Sequence, residues 1–203
     1  MKRLFKSVLS AIYRSRKWCI SIFLTYLFSC FVGILMVHFG NQFALSRRDR
    51  IVGVAQIRDK ASINYNSGNR FKAALIDFSG NLFIGSIIQS IMAFSVLAPY
   101  VSSSYQGWIG GIVSVDSSHL SRFRKIKPAL YYVFVLLLQF IPYSLAIGAA
   151  TRAGYSTYVL NKHKPISQYK FDSKSIKDLF LVYLLVIPLF FVASCFEFLS
   201  TWN

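Results

Sequence analysis

A row of polar and small residues recurs at every fourth position between residues 77 and 94, within a stretch that is otherwise apolar. The row consists of Asp77, Asn81, Gly85, Gln89 and Ala93. Because residues four apart lie nearly above one another on an α-helix, we predict that these five form one narrow polar face. Such a face either holds a neighbouring helix by amide hydrogen bonds and close backbone contact, or lines a path for an ion or substrate.

Helix packing is the function that these residue types favour. Asp77 lies at the edge of the apolar stretch and only neutral amides lie deeper, which argues against a relay of protons or ions. We therefore predict that the polar face packs against a second narrow face, formed by Ala146, Ala150 and Gly154. Gly85→Leu is then expected to disturb assembly, and cysteines placed at Gly85 and Ala150 are expected to crosslink.

The residues capable of acid–base or metal chemistry are scattered along the chain. The seven acidic residues form no close pair, and the three histidines are far apart. All three cysteines lie in apolar segments and lack metal-ligand spacing. We find neither a nucleotide-binding loop nor a metalloprotease helix. The sequence therefore predicts a protein that is not an enzyme and has no cofactor and no bound metal.

Glu197 is the only glutamate in the chain and lies near the end of the last apolar segment. At that position it can reach interfacial water at little cost. The sharper alternative is an ion pair with Arg152 or with a cation of another apolar segment.

The elements that must position these residues are apolar helices. The chain has 203 residues, of which 55% are hydrophobic, and its mean hydropathy is +0.48. A bilayer-spanning helix needs about 20 mostly apolar residues, and the apolar runs are continuous, whereas barrel strands alternate. We predict an all-α, polytopic helical membrane protein that forms a single membrane domain over residues 1–203. The four long segments are Cys19 to Phe39, Phe78 to Leu97, Ala129 to Thr151 and Leu179 to Leu199.

A fifth apolar segment, Tyr105 to Val115, is short and rich in glycine. It is predicted either to cross the membrane or to re-enter it, because irregular backbone at that depth needs protein or water around it. A crossing places the two chain termini on opposite sides, and this is the alternative we favour. Residues 40–76 are predicted to form an extramembrane segment, first amphipathic and then a loop.

The formal net charge of +16 reflects basic residues in the segments between the apolar runs. These residues orient membrane helices and contact anionic lipid headgroups, and no nucleic-acid recognition motif accompanies them. Residues 1–17 are basic and contain no acid. We weighed a cleaved signal, a mitochondrial presequence and a cytoplasmic amphipathic lead-in, and favour the last, in a bacterial inner membrane protein with a cytoplasmic N-terminus. Its candidate contacts to lipid headgroups or a partner are Lys2, Arg3, Lys6, Arg14, Arg16 and Lys17.

Several motifs, in this order and from about Phe71 onward, resemble the stage II sporulation protein M family of membrane proteins. The matching residues are Asn81 and Gly85; Gly107 and Gly111 in "QGWIGG"; Pro142, Ala149, Ala150 and Gly154; and Ala193, Glu197 and Thr201. The family often has a histidine, a glycine and a glutamate after the proline, where this chain has Tyr143, Ser144 and Ile147.

The resemblance implies a non-enzymatic membrane scaffold, like the founding member that holds cell-wall-degrading partners. The alternative is the permease subunit of an ATP-driven exporter whose ATPase is a separate chain. A chain with so few spans is expected to form a homo- or hetero-oligomer to enclose a path. In both cases the predicted partners are the lipid bilayer and other membrane proteins or a separate ATPase.

Overall fold

The computed structural model describes residues 2–200, and this part of the chain is helical with no β-strand. Four of its helices are long and apolar enough to cross a membrane, which confirms the prediction of an all-α, polytopic helical protein. The helices are α1 (Lys2–His38), α2 (Gln42–Arg58), α3 (Lys60–Asn66), α4 (Arg70–Ser95), α5 (Ala98–Ile112), α6 (Ile126–Asn161) and α7 (Ser173–Leu199).

The long helices form an antiparallel bundle, with α1 and α7 running in one direction and α4 and α6 in the other. Arg14 in α1 pairs with Asp178 near the start of α7. Tyr131 near the start of α6 contacts Glu197 near the end of α7, and the start of α4 also lies beside the end of α7. We call the end of the bundle that holds Arg14 and Asp178 the N-terminal end, and the opposite one the far end.

The short glycine-rich helix α5 runs from the N-terminal end to the far end, parallel to α1. Tyr100 in its first turn hydrogen bonds Ser21 of α1, and Gly111 in its last turn contacts Gly33. The geometry therefore corresponds to the crossing alternative, and it places residue 200 at the opposite end of the bundle from residue 2. With 15 residues, α5 is about 22 Å long.

The N-terminal basic segment is continuous with the first apolar segment, because α1 has no break between residues 2 and 38. At the far end, Asn41 caps α2 and Asp59 caps α3 through their side chains, as these residue types do at helix N-termini. The predicted extramembrane segment 40–76 therefore contains two short helices and, from Arg70, the beginning of α4.

A hydrogen bond joins α2 to the loop that follows α5. His119 in this loop lies 2.9 Å from a carboxylate oxygen of Asp49, and Arg48 contacts the same carboxylate. The Arg48 guanidinium and the His119 imidazole hold the pKa of Asp49 below its usual value. The contact keeps residues 114–125 close to the far end of the bundle.

Aromatic rings stack through the centre of the bundle. Tyr26 of α1 and Phe140 of α6 have ring centroids 4.9 Å apart, and Tyr143 and Phe190 are 4.7 Å apart. Tyr26 and Phe190 are completely buried. Large apolar side chains elsewhere face outward, as expected of lipid-facing helix surfaces; they include Phe28, Ile84 and Phe180.

Candidate functional site: a cavity between α5, α6 and α7

The predicted polar face of α4 is divided among three neighbouring helices. Residues Gly80–Ile88 form a π-helical segment, in which hydrogen bonds join residues five apart instead of four. A spacing of four therefore no longer keeps side chains on one face. As a result, Asp77 contacts α7, Gly85 contacts α6 and Gln89 contacts α5.

The first two residues of the face belong to a hydrogen-bond chain that joins α4, α6 and α7. One carboxylate oxygen of Asp77 accepts hydrogen bonds from Ser194 at 2.7 Å and from Asn81 at 2.8 Å. The amide oxygen of Asn81 in turn accepts from the Tyr143 hydroxyl at 2.7 Å.

The predicted pairing of the two small-residue faces occurs at Ala93 and Gly154, whereas the expected contact between Gly85 and Ala150 is not formed. Gly85 lies against the Tyr143 ring, about two helical turns along α6 from Ala150. The backbones of α4 and α6 approach each other most closely at Gly154. A Cβ atom built on Gly154 would lie 2.6 Å from the Cα atom of Phe94 and 2.9 Å from the carbonyl oxygen of Ala93. Ala146 and Ala150 are fully buried in the core.

Gly85→Ala is expected to destabilise the protein by about 1–3 kcal/mol, because the added methyl overlaps the Tyr143 ring. Tyr143→Phe alone should cost about 1 kcal/mol through its lost hydrogen bond to Asn81. The double variant should lose less stability than the two single variants lose together, since removing the hydroxyl makes room for the methyl. Thermal unfolding of the four proteins in detergent measures this coupling, and strict additivity would contradict the contact.

The main cavity has a volume of about 790 Å³ and lies between α5 and α6, next to α2 and α3. Five tyrosines and Phe140 supply much of its wall; the tyrosines are Tyr26, Tyr105, Tyr131, Tyr132 and Tyr143. Polar groups come from Gln106 of α5, Gln139 of α6 and Glu197 of α7. A cavity of this size, mostly apolar with a few convergent polar groups, is typical of a small-molecule site.

Glu197 contributes the one carboxylate of this wall. Its Oε2 atom accepts a hydrogen bond from the Gln139 amide at 2.6 Å. The predicted ion pair with Arg152 is wrong, because Arg152 lies at the other end of the bundle. Within residues 2–200, Glu197 forms no ion pair.

Arg152 belongs instead to an ion cluster at the N-terminal end. Its guanidinium lies 2.6 Å from one oxygen of the buried Asp178 carboxylate, and the Arg14 guanidinium donates to both oxygens. The cluster therefore ties α1, α6 and α7 together.

The six basic residues of the N-terminal segment are exposed. Lys6 and Arg14 face Lys174 and Lys177 across a surface pocket, and Arg16 stacks on the Tyr13 ring. The others are Lys2, Arg3 and Lys17.

The residues that carry the family resemblance are mostly packing residues. Gly107 and Gly111 lie where α5 touches the backbone of α1, while Pro142 and Ala149 are buried within the continuous helix α6. Glu197 alone faces the cavity, and Thr201 lies outside the described residues.

The fold and the cavity define a class: a multi-pass, all-α membrane protein with a cavity among its helices. No protein-family model, curated protein or solved structure matches the chain. The described residues also hold no group of three or more His, Cys, Asp or Glu side chains arranged to bind a metal ion. Sequence reasoning missed the cavity, although Gln139, a polar residue amid "VLLLQF", was a signal of a polar interior.

Proposed function

We propose that this chain is a non-enzymatic integral membrane subunit of a multiprotein complex, and that it acts there as a permease subunit. The observation that carries the proposal is the cavity of about 790 Å³ between α5 and α6, with Glu197 in its wall. An ionisable group that faces a cavity within a helical membrane bundle is typical of a substrate path. The scaffold function implied by the family resemblance requires no such interior space.

The cavity wall is incomplete within one chain, which supports assembly into an oligomer. Gln106, Ile109 and Gln139 are only half-buried, and Tyr105 is exposed. A second copy or another membrane subunit is therefore needed to enclose the path. Because the sequence has no nucleotide-binding loop, the energy source belongs to a separate chain.

The N-terminal end of the bundle is assigned to the cytoplasm of a bacterial inner membrane. Residues 1–17 carry six basic residues and no acidic one, and a dense positive charge beside the first span favours the cytoplasmic side. The mouth of the cavity under α2 and α3 then faces outward.

Cysteine accessibility tests whether the cavity holds water. In a variant whose native cysteines are replaced by alanine, Ile109→Cys is expected to react with a positively charged, membrane-impermeant methanethiosulfonate, because Ile109 lines the cavity. Ile84→Cys is the matched control: Ile84 is 69% exposed on the outer surface, which the bilayer covers, so it should stay unmodified. Labelling after denaturation confirms that both thiols are present.

Protection of Ile109→Cys to the same degree as Ile84→Cys would contradict a water-filled cavity and support the scaffold function. The multiprotein complex that contains this chain is isolated in parallel from the same membranes. A permease predicts that Glu197→Gln leaves the complex intact but changes transport, whereas a scaffold predicts no functional effect from the cavity.

A further inference from the structure

The buried tyrosines of the cavity wall have no free hydroxyl groups. Tyr26 donates its hydroxyl to the amide oxygen of Gln106, Tyr132 donates to a backbone carbonyl of α5, and Tyr143 donates to Asn81. Tyr26 is also completely buried against Phe140, so ring surface for a ligand comes chiefly from Tyr105, which is 49% exposed in the cavity lining. Aromatic faces attract cations that lie within about 6 Å of the ring centroid.

The carboxylate of Glu197 has unused hydrogen-bonding capacity. An ionised carboxylate accepts about four hydrogen bonds, and in the described part of the chain its side chain receives one, from Gln139. A carboxylate withdrawn from water takes up a proton unless a cation stabilises its ionised form, and residues 2–200 supply none at ion-pair distance. A positively charged ligand that fits the cavity would stabilise the ionised form of Glu197.

We propose that the cavity binds an organic ammonium ion, with the ammonium at Glu197 and the apolar body against the surrounding rings. The inference rests on the proposed function and names the class of its substrate. Aromatic rings around a single carboxylate are the combination that recognises alkylated ammonium groups. Arg122, the basic residue of the lining, is exposed, so solvent screens its charge.

Calorimetric titration of the purified full-length protein in phosphatidylcholine nanodiscs tests the assignment. The probes are benzylammonium, the neutral benzyl alcohol and the anion phenylmethanesulfonate. We expect binding of the ammonium and at least tenfold weaker binding of the other two. Glu197→Gln should weaken ammonium binding by about tenfold or more, because it removes the charge but keeps the shape.

The aromatic contribution is tested at Tyr105, whose side chain is partly exposed and therefore tolerates change. Tyr105→Leu should weaken ammonium binding about threefold, whereas Tyr105→Phe retains the ring and should bind normally. Asp172→Asn is the charge control, since it removes one negative charge at the other end of the bundle and keeps a residue that caps α7. It should leave binding unchanged.

Equal affinity in Glu197→Gln, or tighter binding of the sulfonate, would overturn the proposal. If the ammonium fails to bind while Ile109→Cys is still labelled, the ligand class is wrong and the permease function stands. If Ile109→Cys is protected, the permease function itself fails.

Discussion

Asp178→Asn is expected to lower the stability of the protein by about 3 kcal/mol, the largest effect of any single change at the N-terminal end. The Asp178 carboxylate is 4% exposed and pairs with both Arg14 and Arg152. Removing one member of a buried ion cluster leaves uncompensated charge, which costs about 3–5 kcal/mol. The lower value applies because Arg14 is 36% exposed and solvent screens part of its charge.

Thermal unfolding in detergent measures this loss as a fall in melting temperature of about 6–12 °C for a chain of this size. Asp172→Asn is the matched control: it removes the same charge six residues earlier, where asparagine caps α7 as well as aspartate does. Its melting temperature should change by only a degree or two. Equal melting temperatures for the two variants would show that the cluster does not hold α1, α6 and α7 together.

Gly111→Ala is expected to separate α1 from α5 and to destabilise the protein by about 3 kcal/mol. A Cβ atom at Gly111 would overlap the carbonyl oxygen of Cys30 in α1, and one at Gly107 would lie 2.5 Å from the carbonyl oxygen of Tyr26. Both obstacles are helix backbone, which cannot move without shifting the whole helix. Gly107→Ala should therefore have a similar effect.

Gly110→Ala provides the control on the same helix. Its nearest neighbours are the ends of the Leu136 and Phe140 side chains at 3.1 Å, which can adjust by a few tenths of an ångström. Replacing glycine by alanine within a helix also gains about 1 kcal/mol in helix propensity. We expect Gly110→Ala to be neutral or slightly stabilising, measured by thermal unfolding. A loss of stability equal to that of Gly111→Ala would mean that contact with the backbone of α1 does not explain why these positions need glycine.

The sequence is sufficient to predict the number and type of the long helices, because a continuous run of about 20 apolar residues is long enough to span a bilayer as a helix. Pro99 is harder to interpret from sequence, because proline ends a helix but also fits a first helical turn. In the structure it lies in the first turn of α5, which begins at Ala98. The π-helical segment of α4 is not predicted, since no residue pattern marks it, and it divides the expected polar face among three helices.

Of the two alternatives for Glu197, the ion pair with Arg152 is wrong for a reason that topology explains. Consecutive antiparallel helices bring the end of the first beside the start of the second, so Arg152 late in α6 faces Asp178 early in α7. Glu197 late in α7 instead faces the beginning of α6. The cavity is lined by residues as far apart in the sequence as Tyr26 and Glu197. No local sequence pattern predicts that such distant residues lie together.

The shortness of α5 has a consequence for the surrounding lipid. At about 22 Å, this helix is some 8 Å shorter than the hydrocarbon thickness of an average bilayer. Val101 on its outer surface is 73% exposed, so acyl chains beside α5 must compress locally, at a cost of a fraction of a kcal/mol for each ångström of mismatch. Covering that side with another protein removes the deformation, and a thicker bilayer should therefore favour the oligomer that we propose.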